Sequence, residues 1–244
     1  MVGKLTVIGF GPGNKDHMTL RAIQAIDEAD IVTGYTTYID ILSESFPNKR
    51  YKATGMMREV ERCRMAVRDA MDGLDVAMVS SGDSGIYGMA GIVYQVAEEM
   101  KADLKIETVP GVTAASMAAS VLGAPLMHDT ALISLSDLMT PLELIMKRVE
   151  AASSSDMVIC LYNPKSKNRS DYLDKAADII MSHRGPDAPV GIVRNAGRSG
   201  ESMAITELKG LKDAAVDMLS IVIIGNSQTY VSNGRMITPR GYKL

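Results

Sequence analysis

The chain has 244 residues, 46% of them hydrophobic and 23% charged, with 26 basic against 29 acidic side chains and a formal net charge of −3. These values exclude intrinsic disorder and fibrous repeats, and they do not suit a general nucleic-acid binder, which is normally basic. A chain of this length buries roughly 70–75% of its unfolded surface, enough for a core without disulfide staples. Cys63 and Cys160 stand far apart and form no disulfide framework, which suits a reducing, cytoplasmic home. The longest apolar runs, such as residues 221–224, are too short to span a membrane, and too few apolar residues precede Gly9 for a signal peptide.

Strand and helix signals alternate through the first half. Residues 5–8 form a strand-length apolar run that ends in Gly9-Phe10-Gly11-Pro12-Gly13. Thr19 then caps a helix whose apolar face carries Leu20, Ala22, Ile23 and Ile26. Ile31 and Val32 suggest a second strand. Val60, Cys63, Val67 and Met71 recur at helical steps among charges. Residues 76–79 are strand-like and lead into Ser80-Ser81-Gly82-Asp83-Ser84-Gly85, after which Ile92, Val93, Val96 and Met100 restore helical spacing. A strand over 106–109 closes at Pro110-Gly111, and Thr113 caps a small-residue helix that stops at Gly123. Such alternation predicts a mostly parallel sheet covered by helices, with ligands beyond the carboxyl ends of its strands. Three glycine-rich turns at three strand ends therefore point at one crevice.

Gly123 to Pro125 interrupts the pattern, which places a domain boundary there: residues 1–125 and 126–244. The second half predicts strands over 131–135, 157–161, 190–193 and 221–224. Thr140-Pro141-Leu142-Glu143 reads as a capping box with proline at the first helical position. Ser170 caps a further helix that ends before Gly185-Pro186. Asn233-Gly234, between Tyr230-Val231 and Met236-Ile237, signals a two-residue hairpin, so this sheet should contain antiparallel members. The fold class is α/β, with two α/β domains and a ligand cleft.

Several familiar chemistries fail on spacing. Gly9-x-Gly11-x-Gly13 is not a dinucleotide fingerprint, and Pro12 removes a backbone donor from the turn. Gly82-Asp83-Ser84-Gly85 resembles the surroundings of a protease nucleophile, but Ser84 follows a strand that leads into a helix. Ile86 also stands where a nucleophile elbow needs glycine. A serine nucleophile needs a base. His17 lies in a turn and His183 suits a helix C-terminus, which leaves His128. Cys63 and Cys160 read as small core residues, and no Cys or His pair has metal-ligand spacing.

Charge is distributed unevenly. Residues 1–125 hold 12 basic and 16 acidic side chains, whereas 126–244 hold 14 and 13. Acid-free windows of the second half carry Lys165, Lys167 and Arg169, then Arg194 and Arg198, then Arg235, Arg240 and Lys243. The first two windows follow strands directly, where an open sheet receives a ligand, and they suit a small polyanion.

Gly9 to Gly13, Ser81-Gly82-Asp83-Ser84-Gly85-Ile86-Tyr87-Gly88, Val109-Pro110-Gly111-Val112-Thr113-Ala114 and Cys160-Leu161-Tyr162-Asn163-Pro164 occur in that order along essentially the whole chain. Together they resemble the tetrapyrrole (corrin/porphyrin) methylases of cobalamin and sirohaem synthesis. One departure is Ser84, where many relatives have proline. The resemblance implies two α/β domains with S-adenosylmethionine (SAM) in the cleft between them. Pro12 would lie at the floor of the trough, Gly82, Asp83, Ile86 and Tyr87 would embrace the cofactor, and Thr113 and Ala114 would open the helix beside it. Tyr162 and Asn163, with Arg194, Asn195 and Ala196, would supply the second domain's side.

Asp83 would attract the ammonium or sulfonium of SAM, and no metal site is implied. The branch resembled by residues 85–89 and 162–169 methylates C-17 of a reduced tetrapyrrole and contracts the macrocycle. Its anionic substrate, with or without cobalt, would meet Lys165, Lys167, Arg169 and Arg198 alongside Arg194 through carboxylate contacts. A homodimer is implied as well. A general acid or base is not assigned; His128, Asp129, Arg58 and Tyr162 are candidates. A sister methylase acting at another ring position, or a non-catalytic tetrapyrrole-binding protein, stays open from sequence alone.

Overall fold

The computed structural model describes residues 2–166 and 170–243. The chain divides into two compact units after Ala114. In the first, β1 (Lys4–Gly9), β2 (Ile31–Tyr35), β3 (Arg50–Thr54), β4 (Val76–Ser80) and β5 (Lys105–Val109) form a sheet in the order β3-β2-β4-β1-β5. Every pairing in it is parallel. Helices cover both faces, so the central strands must be apolar on both sides; β4 is buried at all five residues. Alternation along β1 sends Leu5 and Val7 into one layer, with Cys63, Val67 and Val93. It sends Ile8 into the other, with Ile26 and Leu42.

α1 (Leu20–Glu28) starts as expected, with the Thr19 side chain accepting from Ala22 N at 3.1 Å. Its buried face is Ala22, Ala25 and Ile26, and Leu20 is 78% exposed, so the predicted apolar face is turned by part of a helical step. α3 (Glu59–Met71) shows the same correction. It buries Arg62, Cys63, Ala66, Val67 and Ala70, while Val60 and Met71 face solvent. Small Ala66 and Ala70 pack in the layer shared with α4 (Ala90–Glu99), so they take the inner positions in place of the larger flanking residues. α2 (Thr36–Ser45) and edge strand β3 carry no clear apolar period and escape the sequence reading. The charges of Arg50 and Lys52 are what an unpaired sheet edge tolerates.

The second unit begins with α5 (Ala114–Leu122) from Ala115 onward and continues through β6 (Gly123–Ala124) and β7 (Thr130–Ser134). α6 (Leu142–Ser154), β8 (Val158–Tyr162), α7 (Tyr172–Arg184), β9 (Pro189–Arg194), β10 (Ser202–Glu207) and β11 (Ser220–Ile224) follow. Its main sheet runs β10-β9-β11-β8-β7, with β7 and β8 parallel and the other pairings antiparallel. The hairpin of β12 (Tyr230–Ser232) and β13 (Arg235–Ile237) forms where Asn233-Gly234 predicts it. Both turn residues are left-handed, at φ 50° and 70°. It does not join the main sheet, however: β13 pairs with β6 in a separate three-stranded sheet, and the strands that run against β7, β8 and β9 in the main sheet are β10 and β11.

Two caps shift. Pro141, expected as the first helical residue of α6, occupies its cap position instead of Thr140, and no side-chain capping bond forms there. Asp171 rather than Ser170 occupies the cap position of α7, without a side-chain capping bond, and it pairs with Lys175 one turn on, at 2.7 Å. Among the described residues no helix is long and apolar enough to cross a membrane.

The end of β1 leaves no room for a side chain. A Cβ on Gly9 would lie 2.7 Å from Gly82 O and Ser84 N and 2.8 Å from Gly111 N. Gly9→Ala should therefore lower the urea-unfolding free energy by about 1–3 kcal/mol through overpacking. Gly91→Ala, in open space at an exposed position of α4, should raise it by about 0.5–1 kcal/mol.

Candidate active site

β4, β1 and β5 are adjacent, so the three glycine-rich turns leave neighbouring strands at one edge of the first sheet. The connection after β1 runs to one side of the sheet and that after β4 to the other, which is the switch point where open parallel sheets take ligands. The turns pack backbone against backbone. Gly11 N donates to Gly82 O at 3.0 Å and Gly82 N to Gly11 O at 2.9 Å, with both glycines at positive φ. A Cβ on Gly111 would fall 2.3 Å from Gly82 O, which admits only glycine. The Thr19 hydroxyl, besides capping α1, reaches Pro110 O at 3.4 Å.

Asp83 clasps two of these turns. Its Oδ1 accepts from Gly85 N and Ile86 N at 2.8 and 3.0 Å, and its Oδ2 accepts from Gly111 N at 3.0 Å. Part of its acceptor capacity thus holds the loop itself. Ser84 is fully buried, and its Oγ donates to Val109 O at 3.0 Å, so the hydroxyl is a structural tie and faces no substrate. The loop then presents Ile86, 36% exposed, and Tyr87, 54% exposed at φ 53°. A left-handed bulky residue costs about 1–3 kcal/mol, and such strain collects at functional sites. Pro12 is buried within the first turn, and Thr113 and Ala114 stand at the start of α5, beyond β5. Pro12, Gly82, Asp83, Ile86, Tyr87, Thr113 and Ala114 thus gather at one edge.

In the second unit, β8 and β9 flank antiparallel β11, so their carboxyl ends share a sheet edge. Asn163 and Asn195, each just past its strand, are both left-handed, at φ 51° and 52°, which asparagine tolerates better than most residues. Asn163 Nδ2 donates to Ser134 Oγ at 2.9 Å, and Asn195 N donates to Leu219 O at 3.0 Å. The Tyr162 hydroxyl accepts from Ala115 N at 3.1 Å, satisfying an otherwise orphaned amide in the first turn of α5. Lys165, Ala196 and Arg198 lie on the same two loops, half-buried. Lys167 and Arg169 lie outside the described residues.

Arg194 is less free than its acid-free window implies, because Nε donates to Asp217 Oδ2 at 2.8 Å. Burial pushes the Asp217 carboxyl up, but bonds from Arg194, Leu219 N and Ser220 outweigh it and hold the group below the usual range. His128 and Asp129 precede β7 and so sit at the opposite, amino edge of the sheet, away from Asn163 and Asn195. Arg58 is tied to Glu61 at 2.5 Å. None of the four acid/base candidates therefore stands as a free group at these edges. Cys63 and Cys160 are buried, with thiols pushed up to about 12 by burial, and behave as core residues. Among the described residues, no three His, Cys, Asp or Glu side chains converge as a metal cluster would require.

The sequence reading misses a cavity of about 220 Å³ beside the β4–α4 loop, where Tyr35, Tyr38, Met56, Glu59 and Arg62 meet Tyr87. The available signal was Arg62 itself, a cation on the inward stripe of α3.

A strand-end crevice of backbone turns, with no nucleophile and no metal cluster among the described residues, defines an α/β protein that positions a ligand. The family model of the Tetrapyrrole (Corrin/Porphyrin) Methylases matches residues 4–212, and the chain belongs to that family, whose members are SAM-dependent. It is 49% identical over 240 residues to the probable cobalt-factor III C(17)-methyltransferase of Salmonella typhimurium, covering 98% of this chain and 100% of that protein. Its identity to the cobalt-factor III methyltransferase of Priestia megaterium is 47% over 247 residues, covering 100% of this chain but 46% of that longer protein. The crystal structure of the methyltransferase CobJ matches with a TM-score of 0.90 at 31% identity, covering 97% of this chain and 100% of that one.

Ser84→Ala removes one buried hydrogen bond and should cost about 1 kcal/mol in denaturant unfolding while retaining methyl transfer. Asp83→Ala strands three backbone amides and should cost about 1–3 kcal/mol and weaken methyl-donor binding as well. Complete loss of turnover in Ser84→Ala alone would return the hydroxyl to a chemical role.

Proposed function

We propose that the chain transfers a methyl group from SAM to C-17 of precorrin-3B or cobalt-factor III, with contraction of the macrocycle, in the synthesis of cobalamin. The observation that carries this reading is the set of three interlocked turns after β4, β1 and β5, in a chain of the tetrapyrrole methylase family. When bound, SAM supplies a methyl group on a sulfonium, so a tetrapyrrole carbon provides the electron pair and a neutral thioether leaves.

The residues fit such a donor. The close-packed turns let backbone groups approach a ligand, Asp83 brings a carboxylate to the turn, and Ile86 and Tyr87 offer exposed apolar surface. Pro12, Gly82, Thr113 and Ala114 complete the first unit's share. Tyr162, Asn163, Arg194, Asn195 and Ala196 would provide the second unit's share, and Lys165, Lys167, Arg169 and Arg198 would meet substrate carboxylates. What the protein contributes is alignment. An in-line displacement with a neutral leaving group needs no strong base, and correct placement is worth about 7–11 kcal/mol. A homodimer, a cytoplasmic location and no nucleic-acid or membrane partner belong to the same proposal.

Calorimetry should detect one SAM per chain. Incubation with SAM and cobalt-factor III should then add one methyl group by mass spectrometry, at C-17 by NMR with a labelled donor. Label at another carbon would identify a sister activity, and binding without turnover a non-catalytic protein. Lys165→Ala should raise the tetrapyrrole KM severalfold and leave SAM affinity within about twofold, since a charge-assisted contact acts on the ligand whose carboxylate it meets.

A further inference from the structure

Arg62 is 3% exposed, and among the described residues no carboxylate bonds to it. Its Nε donates to Thr54 Oγ1 at 2.8 Å, and its Nη2 to Gly55 O at 3.0 Å and Thr54 O at 3.4 Å. Among the described residues Nη1 meets the thioether of Met89, at 4.0 Å, and sulfur is a weak acceptor. The guanidinium also stands 5.7 Å from the Tyr35 ring centroid. These partners fix the plane of the fork without neutralising it. Burial pushes its pKa down, more strongly than nearby Glu59 pushes it up. A buried cation without a bonded anion is costly, so an arginine built this way implies an anion that arrives later.

The cavity supplies the route. Arg62 lines it together with Tyr35, Tyr38, Met56, Glu59 and Tyr87. Ser81, Tyr87 and Gly88 of the same β4–α4 loop also line it, so it adjoins the turn assigned above to the methyl donor. Its walls combine aromatic rings, on which a flat macrocycle can rest, with one fixed guanidinium edge. Planar forks match carboxylates in a two-point contact that a lysine would not reproduce.

We infer that Arg62 is the carboxylate receptor of this cavity, taking an acid side chain of the tetrapyrrole and so helping to set which ring edge faces the methyl donor. This rests on the function proposed above. The same chemistry could be supplied by the amino-acid carboxylate of SAM, and the experiment separates the two sources.

The test titrates cobalt-factor III by absorbance and SAM by calorimetry into the full chain and two variants, Arg62→Gln and Met56→Glu. Met56 is 61% exposed, so Met56→Glu places a negative charge at the cavity mouth without entering the core and covers the event that Arg62→Gln does not fold. The expected result is a Kd for cobalt-factor III raised about tenfold or more in Arg62→Gln and severalfold in Met56→Glu, with SAM affinity within twofold of the unaltered chain. Weakened SAM binding with intact tetrapyrrole binding would keep the receptor but assign it the cofactor's carboxylate. Unchanged affinities for both ligands in folded variants would overturn it. Failure of the unaltered chain to bind any tetrapyrrole would instead overturn the functional reading beneath it.

Discussion

The first unit is organised around the close approach of three backbone turns. Gly9 and Gly111 approach Gly82 so closely that a Cβ on either would collide with a carbonyl oxygen or an amide nitrogen. That contact dictates much else. It requires β4, β1 and β5 to be neighbours with their carboxyl ends level, and it leaves the loop amides to be gathered by one side chain, Asp83. Ser84 must turn inward to the end of β5. The loop then has one direction in which to spend its remaining length, and it presents Ile86 and Tyr87 outward. An open parallel sheet exposes strand ends at its switch point; the packed turns give that edge a fixed shape.

The second unit reaches a similar end by different means. It places asparagine in the left-handed region after β8 and after β9. Antiparallel β11 between them puts both at one edge, beside the Ser134 partner of Asn163. Electrostatics follow the same economy. Arg194 is held by Asp217 and Arg235 by the Val121 carbonyl, so part of the basic excess is structural. Arg62 is the inverse case, a cation whose bonded partners are a hydroxyl, two carbonyls and a sulfur.

Much of this was legible in the sequence for definite physical reasons. Short apolar runs ending in glycine mark buried parallel strands and their turns, and Thr19 and Asn233-Gly234 act over a few residues whose geometry is local. The failures share a cause as well. Leu20, Val60 and Met71 keep the right helical period, but which arc of a helix turns inward depends on what it packs against. β3 and β10 are edge strands, buried on too little of their surface to need an apolar pattern. The hairpin was visible but its partner was not, because pairing with β6 is a contact over more than a hundred residues. The acid-free window around Arg194 was real in sequence and partly cancelled in space by Asp217.

The sequence by itself determined the alternation of strands and helices, the glycine turns and the family to which they belong. All of these are written in residue type and short spacing, where local sterics decide the outcome. The tertiary structure alone decided that the three turns leave adjacent strands, that Asp83 spends much of its capacity on its own loop and that Ser84 is no nucleophile. It also decided that Arg62 lines a cavity beside Tyr35 and Tyr87. Strand order and burial arise from contacts between distant segments, and a buried charge is recognisable only once the groups around it are known.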